Sequence, residues 1–229
     1  MMDRHFDDEL KDLNTELLKM ASLAEEAIVK AVEALQTQDQ ELAREVLEGD
    51  NKIDAMENEI EEKAIDLLAR RQPWAADLRF VTTGMKINTE IERIADLACN
   101  IAQRALELMD APLVKPLVDI PKLADIARHM VKEAIDAFVN KDEAKAKKVI
   151  LSDPKANALK NSIADELIDE YIARETKLSA KALPLILVAR HLERICDHAT
   201  NIAEDVIYMI KGTIVRHRAE NYKSLVQNR

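Results

Sequence analysis

The sequence predicts an all-α protein made of two tandem antiparallel three-helix bundles related by an internal duplication. The composition favours helix, because 48% of the 229 residues are hydrophobic and 33% are charged, with only 3 Gly, 6 Pro and 3% aromatic residues. The segment ERIADLACNIA at 92–102 recurs as ERICDHATNIA at 193–203, with 8 of 11 positions identical at an offset of 101 residues. A repeat of this period indicates two similar halves.

Three helices are expected in the first half. Apolar residues at spacings of three and four predict the first helix over 4–37, and a second helix is predicted over 39–71 with Gly49 as a weak point. Pro73 forces a break, after which a third helix over 75–110 carries the first copy of the repeated segment.

The second half repeats this order. Three prolines, at 112, 116 and 121, mark 112–121 as a linker between a first domain at 1–111 and a second at 122–229. The apolar pattern then recurs at an offset of 103 residues, which aligns Asp39 with Asp142 and Asp50 with Asp153. The predicted helices of the second half are 122–140, 142–174 and 177–220, and the two bundles are expected to pack end to end or side by side.

Charge and apolar patterning exclude several classes of protein. The formal net charge is −10, and no Lys or Arg cluster is dense enough to follow a phosphate backbone, so direct nucleic-acid binding is not expected. The N-terminus lacks the apolar core of a signal peptide, and the longest nearly apolar stretch, 182–189, is too short to span a bilayer. We therefore expect a soluble cytoplasmic protein, in which Cys99 and Cys196 are small buried core residues.

Each copy of the repeated segment places oxygen-bearing side chains along one side of a helix. The residues are spaced i, i+4, i+8, and they are Glu92, Asp96 and Asn100 in the first copy and Glu193, Asp197 and Asn201 in the second. Carboxylates four residues apart repel by about 0.2–0.5 kcal/mol on an exposed helix, so helix stability alone does not explain them. A bound hard cation such as Mg, Ca, Mn or ferric iron would reverse that sign.

Ordinary surface charge is the competing interpretation. A chain with 43 acidic residues is expected to contain about 8 acid pairs at this spacing by chance. Arg93 and Arg194 are expected to pair with acids on a neighbouring helix, and His198, whose counterpart is Leu97, to be a core or rim residue. Trp74 is expected to cover the end of a bundle.

No catalytic apparatus is visible in the sequence. It contains no glycine-rich phosphate loop, no supported Ser or Cys nucleophile and no Glu-x-x-His pair of the kind used in di-iron bundles. We therefore predict that the protein is not an enzyme.

The chain resembles the PhoU family over nearly its whole length. The segments that carry the resemblance are FDDEL at 6–10, EGDNKID at 48–54, RQPWAADLR at 71–79, ERIADLACNIA at 92–102 and ERICDHATNIAE at 193–204. The resemblance implies two three-helix bundles related by pseudo-twofold symmetry, with ExxxD motifs that hold multinuclear iron or another metal. These motifs fall on Glu92 with Asp96 and on Glu193 with Asp197, whereas Asn100 and Asn201 rest on spacing alone.

One departure from the family pattern accompanies these motifs. Ala95 and Cys196 replace the glycine of the common ERIGD form, which adds bulk beside each carboxylate stripe.

The resemblance also implies a function. Members of the family regulate phosphate uptake and repress the phosphate-starvation response, as cytoplasmic adaptors between the phosphate-specific ABC transporter and a sensor histidine kinase. Such a protein reaches the membrane through its partners, and a homodimer is compatible with this role. The alternatives left open by the residues are a metal-storing or metal-dependent helical-bundle enzyme and a metal-free helical adaptor.

Overall fold

Six α-helices make up the fold in the computed structural model, which describes residues 2–109 and 112–213. They are α1 (Met2–Thr37), α2 (Gln40–Arg71), α3 (Ala75–Glu107), α4 (Asp119–Asn140), α5 (Glu143–Glu166) and α6 (Ser179–Lys211). A π-helical turn, Leu167–Ile172, and a 3₁₀ turn, Thr176–Leu178, connect α5 to α6. No strand occurs in these two ranges, and the predicted fold class is confirmed.

Each half is a three-helix bundle, and the two bundles pack side by side. Within each half every helix contacts the other two, while α3 packs along α6 and α1 along α4 to join the halves. The helices α2 and α5 therefore lie on the outer flanks. Phe80 of α3 and Phe138 of α4 stack across the junction with ring centroids 5.0 Å apart, and the buried side chains of both halves form one continuous core.

The turn between the first two helices of each half is repeated in detail. Asp39 caps α2 by accepting a hydrogen bond from the backbone N–H of Leu42 at 3.1 Å, and Asp142 caps α5 by accepting one from Lys145 at 2.9 Å. The residues before these caps, Gln38 and Lys141, both adopt left-handed backbone angles with φ of 55° and 52°. The duplication offset of 103 residues thus holds in the structure, which fixes the register of α2 against α5.

Helices α2, α3 and α4 differ from the prediction in a bound or in continuity. Helix α4 begins at Asp119, three residues before the predicted start, because Pro121 lies in the first turn, where its missing N–H has no helical partner to lose. Helix α2 runs through Gly49 without a break. Helix α3 ends at Glu107, short of the predicted 110.

The second half deviates most around α5 and α6. Regular α-helix in α5 ends at Glu166. Of the predicted extension to 174, residues 167–172 form the π-helical turn and the last two lie in a turn. Helix α6 begins at Ser179 and ends at Lys211, because Gly212 adopts a left-handed φ of 68° and donates its N–H to the carbonyl oxygen of Tyr208 at 2.7 Å. The rest of the predicted helix, 214–220, lies outside the described residues.

Candidate metal-binding clusters

The repeated acids of α3 lie beside acids of α2, and together they form a group that we call cluster 1. Its members are Asp50, Asp54 and Glu57 of α2 with Glu92 and Asp96 of α3. The helix spacing places the α2 members on one side of that helix, at positions i, i+4 and i+7. Five carboxylates therefore line the contact between the two helices, and their charges contribute to the raised pKa values of Asp50, Glu57 and Glu92.

Burial and mutual repulsion make the charge of cluster 1 costly. Burial, followed by the carboxylate of Asp96, raises the pKa of Glu92 to about 7. Burial also raises the pKa of Asp50 and of Glu57, to which neighbouring carboxylates contribute in the same direction. The Oε2 atom of Glu92 is buried without a hydrogen-bond partner, so this carboxylate is under-satisfied by the chain itself.

Arg93 gives cluster 1 partial compensation. Its Nε lies 3.3 Å from Oε2 of Glu92, and one of its terminal nitrogens lies 3.3 Å from Oδ2 of Asp96. Both ion pairs of Arg93 are within α3, contrary to the expectation that it would pair with another helix, although its charge also lowers the pKa of Glu57 on α2. With 57% of the side chain exposed, the pairing is screened by water and worth little.

The equivalent group in the second half, cluster 2, consists of Asp153 of α5 with Glu193 and Asp197 of α6. Burial, followed by the charges of Glu193 and Asp153, raises the pKa of Asp197 to about 6. Two side chains of α5 donate into this group. Lys160 lies 3.4 Å from Oε1 of Glu193, and Asn157 donates its amide N–H to Oδ2 of Asp153 at 3.2 Å.

The two asparagines predicted from spacing make other contacts. Asn100 donates to the backbone carbonyl oxygen of Asp96 at 2.9 Å, one turn earlier on its own helix. Asn201 donates to Oε2 of Glu90 in the first half at 3.2 Å, and His198 Nδ1 lies 2.6 Å from the same oxygen. The structure thus brings the predicted carboxylates together and directs these amide groups elsewhere, while His198 lies at the junction between the bundles.

The ligand chemistry of the clusters is that of oxygen alone. Cys99 and Cys196 are free and buried, as predicted, and burial raises the pKa of Cys99 to about 12, so neither thiol is available as a thiolate. Within 2–109 and 112–213, no three His, Cys, Asp or Glu side chains are already arranged as a finished ligand set. A bound cation would therefore require these carboxylates to move closer together.

Sequence reasoning found the α3 and α6 members of the clusters and missed those on α2 and α5. Asp50 and Asp153 were aligned as equivalents through the offset of 103 residues but were not assigned to a site. The sequence does contain a pattern that indicates them. Asp50, Asp54 and Glu57 are spaced i, i+4, i+7, which places three carboxylates on one side of α2, where they can face the repeated acids of α3. The expectation that Trp74 covers the end of a bundle is wrong, because this residue is 86% exposed just before α3.

Comparison with known proteins places this architecture in a family. The PhoU domain profile matches residues 17–105 and again 120–206. The chain is 42% identical over 210 residues to the phosphate-specific transport system accessory protein PhoU homolog of Aquifex aeolicus, covering 92% of this chain and 95% of that protein. It is 38% identical to the homolog of Pseudomonas aeruginosa, covering 93% and 88%.

Solved structures agree. The crystal structure of PhoU from Pseudomonas aeruginosa superposes with a TM-score of 0.87 at 37% identity, covering 91% of this chain and all of that one. The phosphate transport system regulatory protein PhoU from Streptococcus pneumoniae superposes with a TM-score of 0.85 at 27% identity, covering 92% and 99%. None of the helices within the described ranges is long and apolar enough to cross a membrane. The chain is a member of the PhoU family, with one PhoU domain in each of its two bundles.

Proposed function

We propose that this protein is a cytoplasmic regulator of phosphate uptake that restrains the phosphate-starvation response. The observation that carries the proposal is the similarity along more than nine-tenths of the chain to relatives named as accessory proteins of the phosphate-specific transport system. The PhoU domain profile matches a segment of each bundle, so the similarity is not confined to one half of the chain.

The physical form suits an adaptor. Six long helices present extended, rigid faces, which are suited to docking against other helices or membrane-protein surfaces. The partners proposed are the cytoplasmic side of the phosphate ABC transporter and the sensor histidine kinase of the phosphate regulon. The protein would act by contact, holding the kinase inactive while phosphate is plentiful, and not by turnover of a substrate.

We further propose that the two clusters bind hard cations, with iron, Mn, Mg or Ca as the candidates. The donor set fits, because carboxylate oxygens suit such ions. The buried atoms Oε2 of Glu92 and Oδ1 of Asp153 accept no hydrogen bond, although Nε of Arg93 lies 3.3 Å from the first of them. Raised pKa values at Glu92 and Asp197 are further support, since a cation would supply the charge compensation that a proton otherwise provides.

In such a site a cation neutralises clustered carboxylates and ties together the helices that carry them. Glu92 and Asp96 would hold it from α3, and Asp50, Asp54 and Glu57 from α2. Because these helices run along each other on one side of the first bundle, bound metal would fix the shape of that surface for a partner.

The regulatory role is tested in phosphate-rich cells that lack their own copy of the gene. Restoring the wild-type protein should silence a phosphate-starvation reporter, and the tagged protein should retain the transporter and the kinase on a column. Absence of both partners in phosphate-rich and phosphate-starved cells alike would refute the adaptor role.

The metal contribution is tested in the same cells with Glu92→Gln combined with Asp96→Asn. This pair should lose metal, measured by elemental analysis of protein purified without chelator, and should release the reporter from repression. The matched control is Glu62→Gln with Asp66→Asn, an exposed acid pair of the same spacing on α2, which should do neither. If the first pair of substitutions left both metal content and repression unchanged, the metal proposal would be wrong.

A further inference from the structure

The two clusters occupy equivalent positions but differ in charge. Superposing α2 on α5 by the offset of 103 residues pairs Asp50 with Asp153, and the next two cluster positions change character. Asp54 of the first half corresponds to Asn157, and Glu57 corresponds to Lys160. The register is not in doubt, because the capping aspartates and the left-handed residues before them obey the same offset.

A third difference lies on the inner helices. Asn88, one turn before Glu92, is 2% exposed and donates its amide N–H to the backbone carbonyl oxygen of Glu57 at 2.8 Å, while its own Oδ1 is buried without a partner. Asn88 thus joins α3, one turn before Glu92, to α2 at Glu57, and it leaves one more oxygen acceptor at this end of cluster 1. The equivalent residue in the second half is Ala189, which offers no polar atom.

The replacements at the cluster 2 positions all reduce the negative charge or the number of free oxygen acceptors. In cluster 2 the Lys160 ammonium lies 3.4 Å from Glu193, and both side chains are mostly buried, with 24% and 14% exposed. The Asn157 amide meanwhile satisfies one oxygen of Asp153. Each half also has an arginine at the equivalent position, and the charges of Arg93 and Arg194 lower the pKa of Glu92 and of Asp197 respectively. Arg93 lies 3.3 Å from acids of cluster 1, but its side chain is 57% exposed against 24% for Lys160, so water screens its charge more strongly.

We propose that the two clusters have diverged into a tight and a weak cation site, with Lys160 acting as a tethered counter-ion that competes with metal for Glu193. This rests on the proposed function, since it presumes that cluster 1 binds a cation. Metal at cluster 2 must displace an ammonium group and overcome its repulsion. Metal at cluster 1 would instead be attracted by five neighbouring carboxylates, close to an amide oxygen that accepts no hydrogen bond. Cluster 1 would therefore bind metal at a low metal concentration, and cluster 2 would bind it only at a higher concentration.

The test is a Mn²⁺ titration of the full-length protein, followed by the loss of the electron paramagnetic resonance signal of free Mn²⁺. Wild type should show two phases whose dissociation constants differ by at least about tenfold. In protein carrying Glu92→Gln and Asp96→Asn only the weak phase should remain. Adding Lys160→Met to that protein should tighten the remaining phase by about tenfold.

The matched control is Lys155→Met, which removes the same charge from an exposed position of α5 and should change the affinity by less than about twofold. The converse substitution, Glu57→Lys, should weaken the tight phase. Circular dichroism melting verifies that each variant is folded, and Lys160→Gln serves as a second substitution if Lys160→Met is not.

The outcomes separate the two proposals. Two phases of equal affinity, or equal effects of Lys160→Met and Lys155→Met, would overturn the divergence while leaving metal binding intact. Absence of Mn²⁺ binding to wild type would overturn metal binding itself, and the divergence with it.

Discussion

The outer groove of the first bundle and that of the second share a backbone and differ in side-chain chemistry. The capping aspartates and the acids of α3 and α6 recur at constant offsets, yet the flank contributed by α2 is anionic and that contributed by α5 carries an amide and an ammonium. Duplication preserved what the core requires, because a shift in register would expose apolar residues. It did not preserve the charge of the half-exposed positions, where substitution costs little stability.

The backbone itself departs from symmetry at one place within these grooves. Pro154 lies inside α5, immediately after Asp153, whereas the equivalent residue in α2 is Asn51. Proline removes one helical hydrogen bond and disfavours helical geometry at the residue before it. Asp153, the cluster 2 residue just before this proline, thus lies in a less stable turn of helix than its counterpart Asp50.

The largest expected effect comes from exchanging these two residues between the halves. Asn51→Pro should destabilise the protein by about 3 kcal/mol, because Asn51 is an exposed residue inside a regular helix. Pro154→Asn should stabilise it by about 1–2 kcal/mol, less than the reverse change because α5 has already adapted to proline. Urea denaturation measures both, and equal and opposite effects would show that α5 has not adapted.

The next effect is stabilisation by bound cation. Mn²⁺ at about 100 times the dissociation constant of cluster 1 should raise the free energy of unfolding by about 2.7 kcal/mol. Glu92→Gln with Asp96→Asn should lose this gain, while Glu193→Gln with Asp197→Asn should keep it. A gain lost equally in both pairs would mean that the two clusters bind as one unit.

A smaller effect is expected in the metal-free protein as the pH is raised. Because the folded protein raises the pKa of Glu92 from 4.5 to about 7, the stability contributed by its protonated form is complete below pH 4.5 and is lost as the pH rises through about 7. Glu92→Gln should therefore be more stable than wild type at about pH 8 by about 1 kcal/mol, a figure reduced for the partial exposure of the site. Urea denaturation over a pH series measures it.

Two control variants in cluster 2 test whether this pH dependence comes from the first bundle. Glu193→Gln removes the partner of Lys160 and should give no stabilisation. Asp197→Asn should flatten the pH dependence in a lower window, since the pKa of Asp197 is raised from 3.8 to about 6. Identical profiles for Glu92→Gln and Glu193→Gln would contradict the electrostatic difference between the clusters.

Sequence patterns predicted the parts of this molecule that depend on periodicity. The six helices, their order and the side of α3 and α6 that carries carboxylates follow from apolar spacing and from one repeated segment, because burial imposes a regular pattern. The side-by-side packing of the bundles was left open against an end-to-end arrangement, since helical periodicity shows which face is buried and not what covers it.

The predictions that were wrong concern the contacts of individual side chains, which helical periodicity does not determine. Trp74 was expected to be a cover and is exposed, and Arg93 was expected to pair with another helix and forms both of its ion pairs within α3. Asn201 shares the helix spacing of the acids but donates across the junction to Glu90, whereas its equivalent Asn100 donates within its own helix to Asp96. The positive charge of Lys160 follows from the sequence, because the offset of 103 residues that pairs Asp50 with Asp153 also pairs Glu57 with Lys160.

The smallest expected effect concerns Gly49, which precedes Asp50 in cluster 1. A β-carbon at this exposed position would meet no atom within 4 Å, so Gly49→Ala should stabilise α2 by about 0.5–1 kcal/mol through helix propensity alone. Its counterpart in the second half is Ser152, whose backbone is less flexible than that of glycine in the unfolded chain. If Gly49→Ala gains this stability and weakens Mn²⁺ binding, glycine serves cluster 1 by letting the backbone of Asp50 adjust to the ion. If affinity is unchanged, cluster 1 owes its tighter binding to its side chains alone.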